Sequence, residues 1–183
     1  MHYNWLAFLR ETIDFTSYAS IWYWIVLAAA WSAMTHRIMG VPWDMIRRAN
    51  WQSAEGMRTA GDIAALVRIH VRRLKTIMDI AGPFAVGGAF FGLTVLAMLG
   101  FGYGFEFPQA AFLILFPIAV GRLMSVRLAY RLHALMEEGA LPEGFELWRL
   151  LARHRLALQL LAALSILVTT FWGMAYILSH SVL

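Results

Sequence analysis

The chain has 183 residues, 61% of them hydrophobic and 14% charged, with a formal net charge of +4. A soluble domain carries roughly 25% charged residues, and one core of this size cannot hide so much apolar surface, so lipid is the expected solvent. The lack of cysteine excludes disulfides, thiolate metal sites and cysteine nucleophiles, and a single lysine among basic residues that flank apolar runs points to membrane orientation instead of nucleic acid.

The opening MHYNWLAFLRETID has neither the positive start nor the continuous apolar run of a cleavable leader. Trp5, Phe8, Leu9, Thr12 and Ile13 recur at helical spacing, with Asn4, Arg10, Glu11 and Asp14 opposite. That pattern predicts a short interfacial helix lying flat on a membrane surface.

Four runs free of Asp, Glu, Lys, Arg and His follow: Phe15–Thr35, Ile80–Phe105, Phe107–Gly121 and Leu156–Ser179. Crossing about 30 Å of hydrocarbon takes roughly 20 apolar residues. The expected fold is therefore an all-α integral membrane protein, a single domain over 1–183 with four spans near 19–39, 79–101, 108–128 and 156–178.

Trp22, Tyr23 and Trp24 open the first span as an aromatic belt, and Gly40, Val41 and Pro42 stop it. Pro42 is placed to start a new helix at Trp43. His36 follows Ser32 by four residues, the spacing with which light-harvesting helices ligate bacteriochlorophyll. His36 is thus the candidate pigment ligand, on the strength of two residues. No histidine lies deep in a span as a b-type haem requires, and no cofactor is expected.

In TAGDIAALVRIHVRRLKTIMDIAGP, Thr59 and Asp62 fit a capping box. Ile63, Leu66, Val67, Val71, Leu74 and Met78 form one apolar stripe, with Arg68, Arg72, Arg73 and Lys75 mostly outside it. This predicts a cytoplasmic helix running into the second span, bent at Gly82-Pro83. Gly88 and Gly92 have the spacing that lets helices approach closely, within the bundle or at a dimer seam. GFGYGFEF from Gly100 reads as a tight turn between spans two and three.

The third run has only 15 charge-free residues before Arg122. If its helix leaves the membrane near Leu128, Arg122 sits roughly 9 Å inside, about the reach of a snorkelling side chain. Arg127 and Arg131 then mark the exit. Because a charge within hydrocarbon is usually paired, Asp79 and Arg122 are the candidate interhelical ion pair.

With four spans, 14 of the 15 Lys and Arg residues fall on one side. The positive-inside rule makes that side cytoplasmic and both termini periplasmic, in a bacterial inner membrane. The fourth helix is expected to begin early, near Phe145, so that His154 joins the basic cytoplasmic face. There is no HExxH, no nucleophile elbow and no carboxylate pair within a span; neither a metal site nor an enzyme is expected.

The phrases IWYWIVLAAAWSAMTHRIMGVPWDM, ALVRIHVRRL, LARHRLALQ and TTFWGM together resemble a group of alphaproteobacterial multi-pass membrane proteins labelled "component of SufBCD complex". The resemblance implies a place near iron–sulfur assembly and transfers no catalytic residue. The expected function is a non-enzymatic accessory or assembly subunit of a larger inner-membrane complex, respiratory or photosynthetic, whose partners are the bilayer and other membrane subunits. The alternative is a small transporter or channel acting as a homo-oligomer, with Arg122 and Asp79 on its path.

Overall fold

The computed structural model describes residues 18, 20–48 and 54–181; the expected interfacial helix lies outside them. Helix α1 spans Ile21–His36 and leads into a two-residue hairpin, β1 Arg37–Ile38 and β2 Val41–Pro42, then the short α2 over Trp43–Arg48. Helix α3 covers Ala54–Ala97 and passes through a π-helical turn, Met98–Gly102, towards α4 at Glu106–Glu137; α5 covers Gly144–Ser181.

The hairpin departs from expectation. Arg37 pairs with Pro42 and Ile38 with Val41 in antiparallel register. Met39 and Gly40 take φ of 50° and 80°, the two positive values a two-residue turn needs to match strand twist. Gly40 fits because a Cβ there would stand 2.9 Å from the His70 side chain. Met39 tolerates a conformation costing roughly 1–2 kcal/mol because its side chain, like Ile38 and Val41, is buried. The new helix does start at Trp43, directly after Pro42.

A second difference concerns Thr59. Helix α3 is already formed at Ala54, so Thr59 lies within the helix and the Thr59–Asp62 capping box does not start it. Its 44 residues run unbroken through Pro83 for about 66 Å, twice the thickness of hydrocarbon. The turn that ends it is closed by Tyr103 N–H donating to Met98 O at 3.1 Å and Phe105 N–H to Leu99 O at 3.2 Å. Helix α4 ends at Glu137 and is followed by Gly139, with φ of 70°. Ala140 N–H donates to Leu135 O at 2.8 Å and Gly139 N–H to Met136 O at 3.2 Å, the Schellman arrangement that caps the last carbonyls.

Helix directions follow from residue contacts. Tyr23 meets Ala110 and Met34 meets Gly121, so α1 and α4 run parallel. Leu158 lies at Gly121 and Gly173 at Tyr18, which makes α5 antiparallel to both. Gln109 reaches Gly100 and Tyr130 reaches Asp79, so α3 is antiparallel to α4. The four long helices therefore alternate up and down.

Three of them are long and apolar enough to cross a membrane: those within 56–102, 106–137 and 144–179. The third charge-free run, the shortest of the four, is among them. Helix α1 has 16 residues, about 24 Å, and is shorter than the expected 19–39.

The fully buried side chains Ile38, Val41, Ile46, Ile63, Val67, Val71, Leu132, Leu147 and Leu151 gather at the end holding the hairpin and α2. Each such burial in water stabilises by roughly 1.5–3 kcal/mol. The apolar segment of α3 is open instead: Ile80, Phe84, Phe90 and Phe91 are 70–83% exposed. Lipid provides no hydrophobic force between helices, so a dense apolar core is expected only where water would otherwise reach it.

Candidate functional site

The α3–α4 turn is held by a polar clasp. Gln109 is buried, donates from Nε2 to Gly100 O at 2.7 Å and accepts at Oε1 from Trp172 Nε1 at 3.1 Å. Glu106 accepts from the Tyr18 backbone N–H at 2.9 Å, and Trp24 Nε1 donates to Tyr18 O at 3.1 Å. The Tyr23 hydroxyl donates to Ala110 O at 3.3 Å. The Tyr18 ring stands 5.6 Å from both Tyr23 and Tyr176. Backbone carbonyls freed by a π turn need donors, and a glutamine with both ends engaged joins the turn to α5.

Below the clasp, Ser165 and Thr169 are buried on α5, and Trp31 Nε1 and Ser165 Oγ have no partner among the described residues. The bundle then becomes apolar at Leu27, Met34, Ile114, Leu158 and Ala162. Polar side chains meet again at Ser125 and His154, whose Oγ and Nε2 are 3.1 Å apart. From Gln109 to Ser125 is about 24 Å along α4.

Sequence reasoning missed the Ser125–His154 contact, which joins residues 29 positions apart through α4–α5 packing. A hydroxyl beside an imidazole is the start of a nucleophile–base pair. Here Ser125 Oγ also bonds its own helix at Gly121 O, 3.1 Å away. With the hydroxyl proton on that carbonyl, the imidazole N–H donates to Oγ, the reverse of a general base. The contact ties two helices.

Asp79 and Arg122 are not brought together. Asp79 accepts from Lys75 Nζ at 2.7 Å and from the Tyr130 hydroxyl at 3.0 Å. Arg122 is exposed and lies eight residues from Tyr130, about 12 Å along α4. His36 is exposed at the last position of α1. A Cβ at Gly88 or Gly92 would meet nothing within 4 Å. Both line an open apolar groove of about 280 Å³ with Ala89, Leu93, Leu115 and Ile118.

At the hairpin end the charges are arranged differently. Arg68 pairs with Glu143 at 2.9 Å, and the Arg149 guanidinium lies 4.8 Å from the Phe145 ring centre. The Arg155 guanidinium lies 4.0 Å from the Trp43 ring centre. His70, held under Gly40 on the part of α3 that precedes its apolar segment, has its pKa lowered by burial and then by the charge of Arg73. Among the described residues, no three His, Asp or Glu side chains gather where a metal ion could be held.

Comparison with family models, with curated proteins and with solved structures gives no match to this chain.

Proposed function

We propose that the protein is a four-span subunit of a bacterial inner membrane that acts by docking to other membrane proteins, as an accessory or assembly factor of a respiratory or photosynthetic complex. The observation that carries this is the apolar half of α3. It presents Phe84, Phe90 and Phe91 beside glycines 87, 88 and 92, where an added Cβ would meet nothing within 4 Å among the described residues. Small residues bordered by aromatics form a surface against which another helix packs closely in lipid. Affinity isolation of the native protein from gently solubilised membranes should yield a stoichiometric membrane partner; recovery of the chain alone would overturn the proposal. The resemblance to the group labelled "component of SufBCD complex" suggests one place to look for that partner.

Helix α1 completes the four crossings in this proposal. Its support is the alternation of helix directions and the alignment of Tyr23 with Ala110 and Met34 with Gly121. Basic side chains at the hairpin end favour a cytoplasmic position there and periplasmic termini. The natural sequence has no cysteine, which suits single-cysteine labelling. Ala140→Cys should react only from the cytoplasm and Tyr103→Cys only from the periplasm, whereas labelling of both from one side would end the four-span topology.

Between Gln109 and Ser125 the buried polar atoms of the described residues are few, Trp31 Nε1 and Ser165 Oγ among them, which weighs against a continuous polar path through one copy. Arg122 on the outer face of α4 would serve a path only between copies.

A further inference from the structure

The position of Arg155 is unusual for a cation. It directly precedes the apolar stretch that starts at Leu156, and its head stacks on Trp43 at 4.0 Å. It makes no hydrogen bond to the described residues, and its Nε is buried without a partner. Arg47 is one helical turn from Trp43 on α2 and therefore shares its face; its charge acts on Arg155. No carboxylate among the described residues lies within 4.0 Å of either arginine. Elsewhere on this end, Arg68 and Lys75 each have an acidic partner. Arg155 is stacked on the Trp43 ring and Arg47 lies one helical turn from Trp43; like charges brought to one patch repel each other, and stacking on Trp43 offsets only part of that cost. An anion with several acceptor oxygens would satisfy both guanidinium groups at once.

We propose that Arg47 and Arg155, braced by Trp43, form a binding site for a phosphate monoanion or diester, of the kind carried by an acidic phospholipid headgroup. Planar guanidinium groups offer paired donors that match phosphate oxygens. Basic pockets at the cytoplasmic ends of membrane helices hold acidic headgroups in this way. Trp43 places the site at headgroup depth. The assignment rests on that end being a membrane interface, which the cysteine labelling tests separately.

The full-length protein in detergent can be titrated with phosphatidylglycerol or phosphatidylcholine of identical chains and read by native mass spectrometry. Phosphatidylglycerol should be retained preferentially, and Arg155→Gln or Arg47→Gln should lower that preference roughly tenfold, the scale of one charged hydrogen bond. Arg149→Gln, an equal charge change on the same helix, should leave it intact. Arg47 is exposed, so Arg47→Gln decides the matter if Arg155→Gln fails to fold. Displacement by millimolar inorganic phosphate, lost in the same variants, would support the phosphate site with a soluble anion as its occupant. No preference in the natural protein, or one that all three variants keep equally, would overturn the proposal.

Discussion

Met34 of α1 is seated against the bare backbone of Gly121 on α4, where a Cβ would run into its Cε and approach Leu158 Cδ2 to 3.2 Å. Three helices meet at that point, so an added side chain can move none of them independently. Gly121→Val should destabilise the bundle by about 1–3 kcal/mol, the usual cost of overpacking. Thermal unfolding in detergent reads the loss directly. An unchanged midpoint would mean that α1 does not hold this position.

Gly88 gives the opposite expectation. Its Cβ would meet nothing within 4 Å, and replacing glycine by alanine in an open helix favours the helix by up to about 1 kcal/mol. Gly88→Leu should therefore leave the unfolding midpoint of the isolated protein within a degree or two of the natural chain. It should nevertheless reduce recovery of the stoichiometric partner in affinity isolation. Loss of fold and loss of partner are then separable.

Gly88 and Gly121 also show what could be read from the chain alone. Both are glycines in apolar helices, yet only Gly121 is pressed by a neighbour. The spacing of Gly88 and Gly92 shows that a flat face exists without showing which helix, if any, covers it. The helix start at Trp43 after Pro42 was legible because it depends on local backbone chemistry, whereas α1 ends at His36, short of Gly40. The Ile38–Val41 pairing was hidden by its length, since two residues carry no alternation. The Gln109 clasp and the Ser125–His154 contact join residues 9 to 63 positions apart, which only tertiary packing determines. The Asp79–Arg122 pair was inferred from depth alone, while in the structure Asp79 is bonded to Lys75, one turn before it, and to Tyr130.

The replacement of Arg122 by Tyr130 as the partner of Asp79 can be tested by coupling. Asp79→Ala and Tyr130→Phe remove the same hydrogen bond, so their stability losses should be non-additive. The carboxylate is substantially exposed, which keeps each loss small. Asp79→Ala and Arg122→Gln should add within experimental error, as distant sites do. Coupling with Arg122 but none with Tyr130 would reverse the assignment.

Gln109 is expected to be the most sensitive polar position. Gln109→Leu leaves Gly100 O and Trp172 Nε1 without their partners at the α3–α4 turn, and each orphaned buried group costs roughly 1–3 kcal/mol. Gln109→Glu retains the acceptor for Trp172 and, when ionised, loses the donor to Gly100 O. It should also introduce a buried charge or an acid proton in place of the amide. Both variants should lower resistance to denaturing detergent, Gln109→Leu without any new charge. Resistance equal to that of the natural protein would show that the turn is held by its backbone bonds alone.

His70 is expected to make the hairpin acid-sensitive. It lies nine residues before Asp79, about 14 Å along α3, and its imidazole fills the space that a Cβ on Gly40 would need. Burial, and then the Arg73 charge, lower its pKa from the ordinary 6.5. Above pH 6.5 the imidazole is neutral in both folded and unfolded chains, so stability does not depend on it. As pH falls below 6.5 the unfolded chain takes up a proton that the folded chain refuses, and stability declines until the lowered folded value is passed. Hydrogen exchange at the Ile38 and Val41 amides, corrected for intrinsic rates, should report progressively easier opening between pH 7 and about pH 5. His70→Asn removes the titrating ring, so its hairpin should open with little pH dependence over the same range. An identical pH slope in natural protein and variant would move the acid response away from His70.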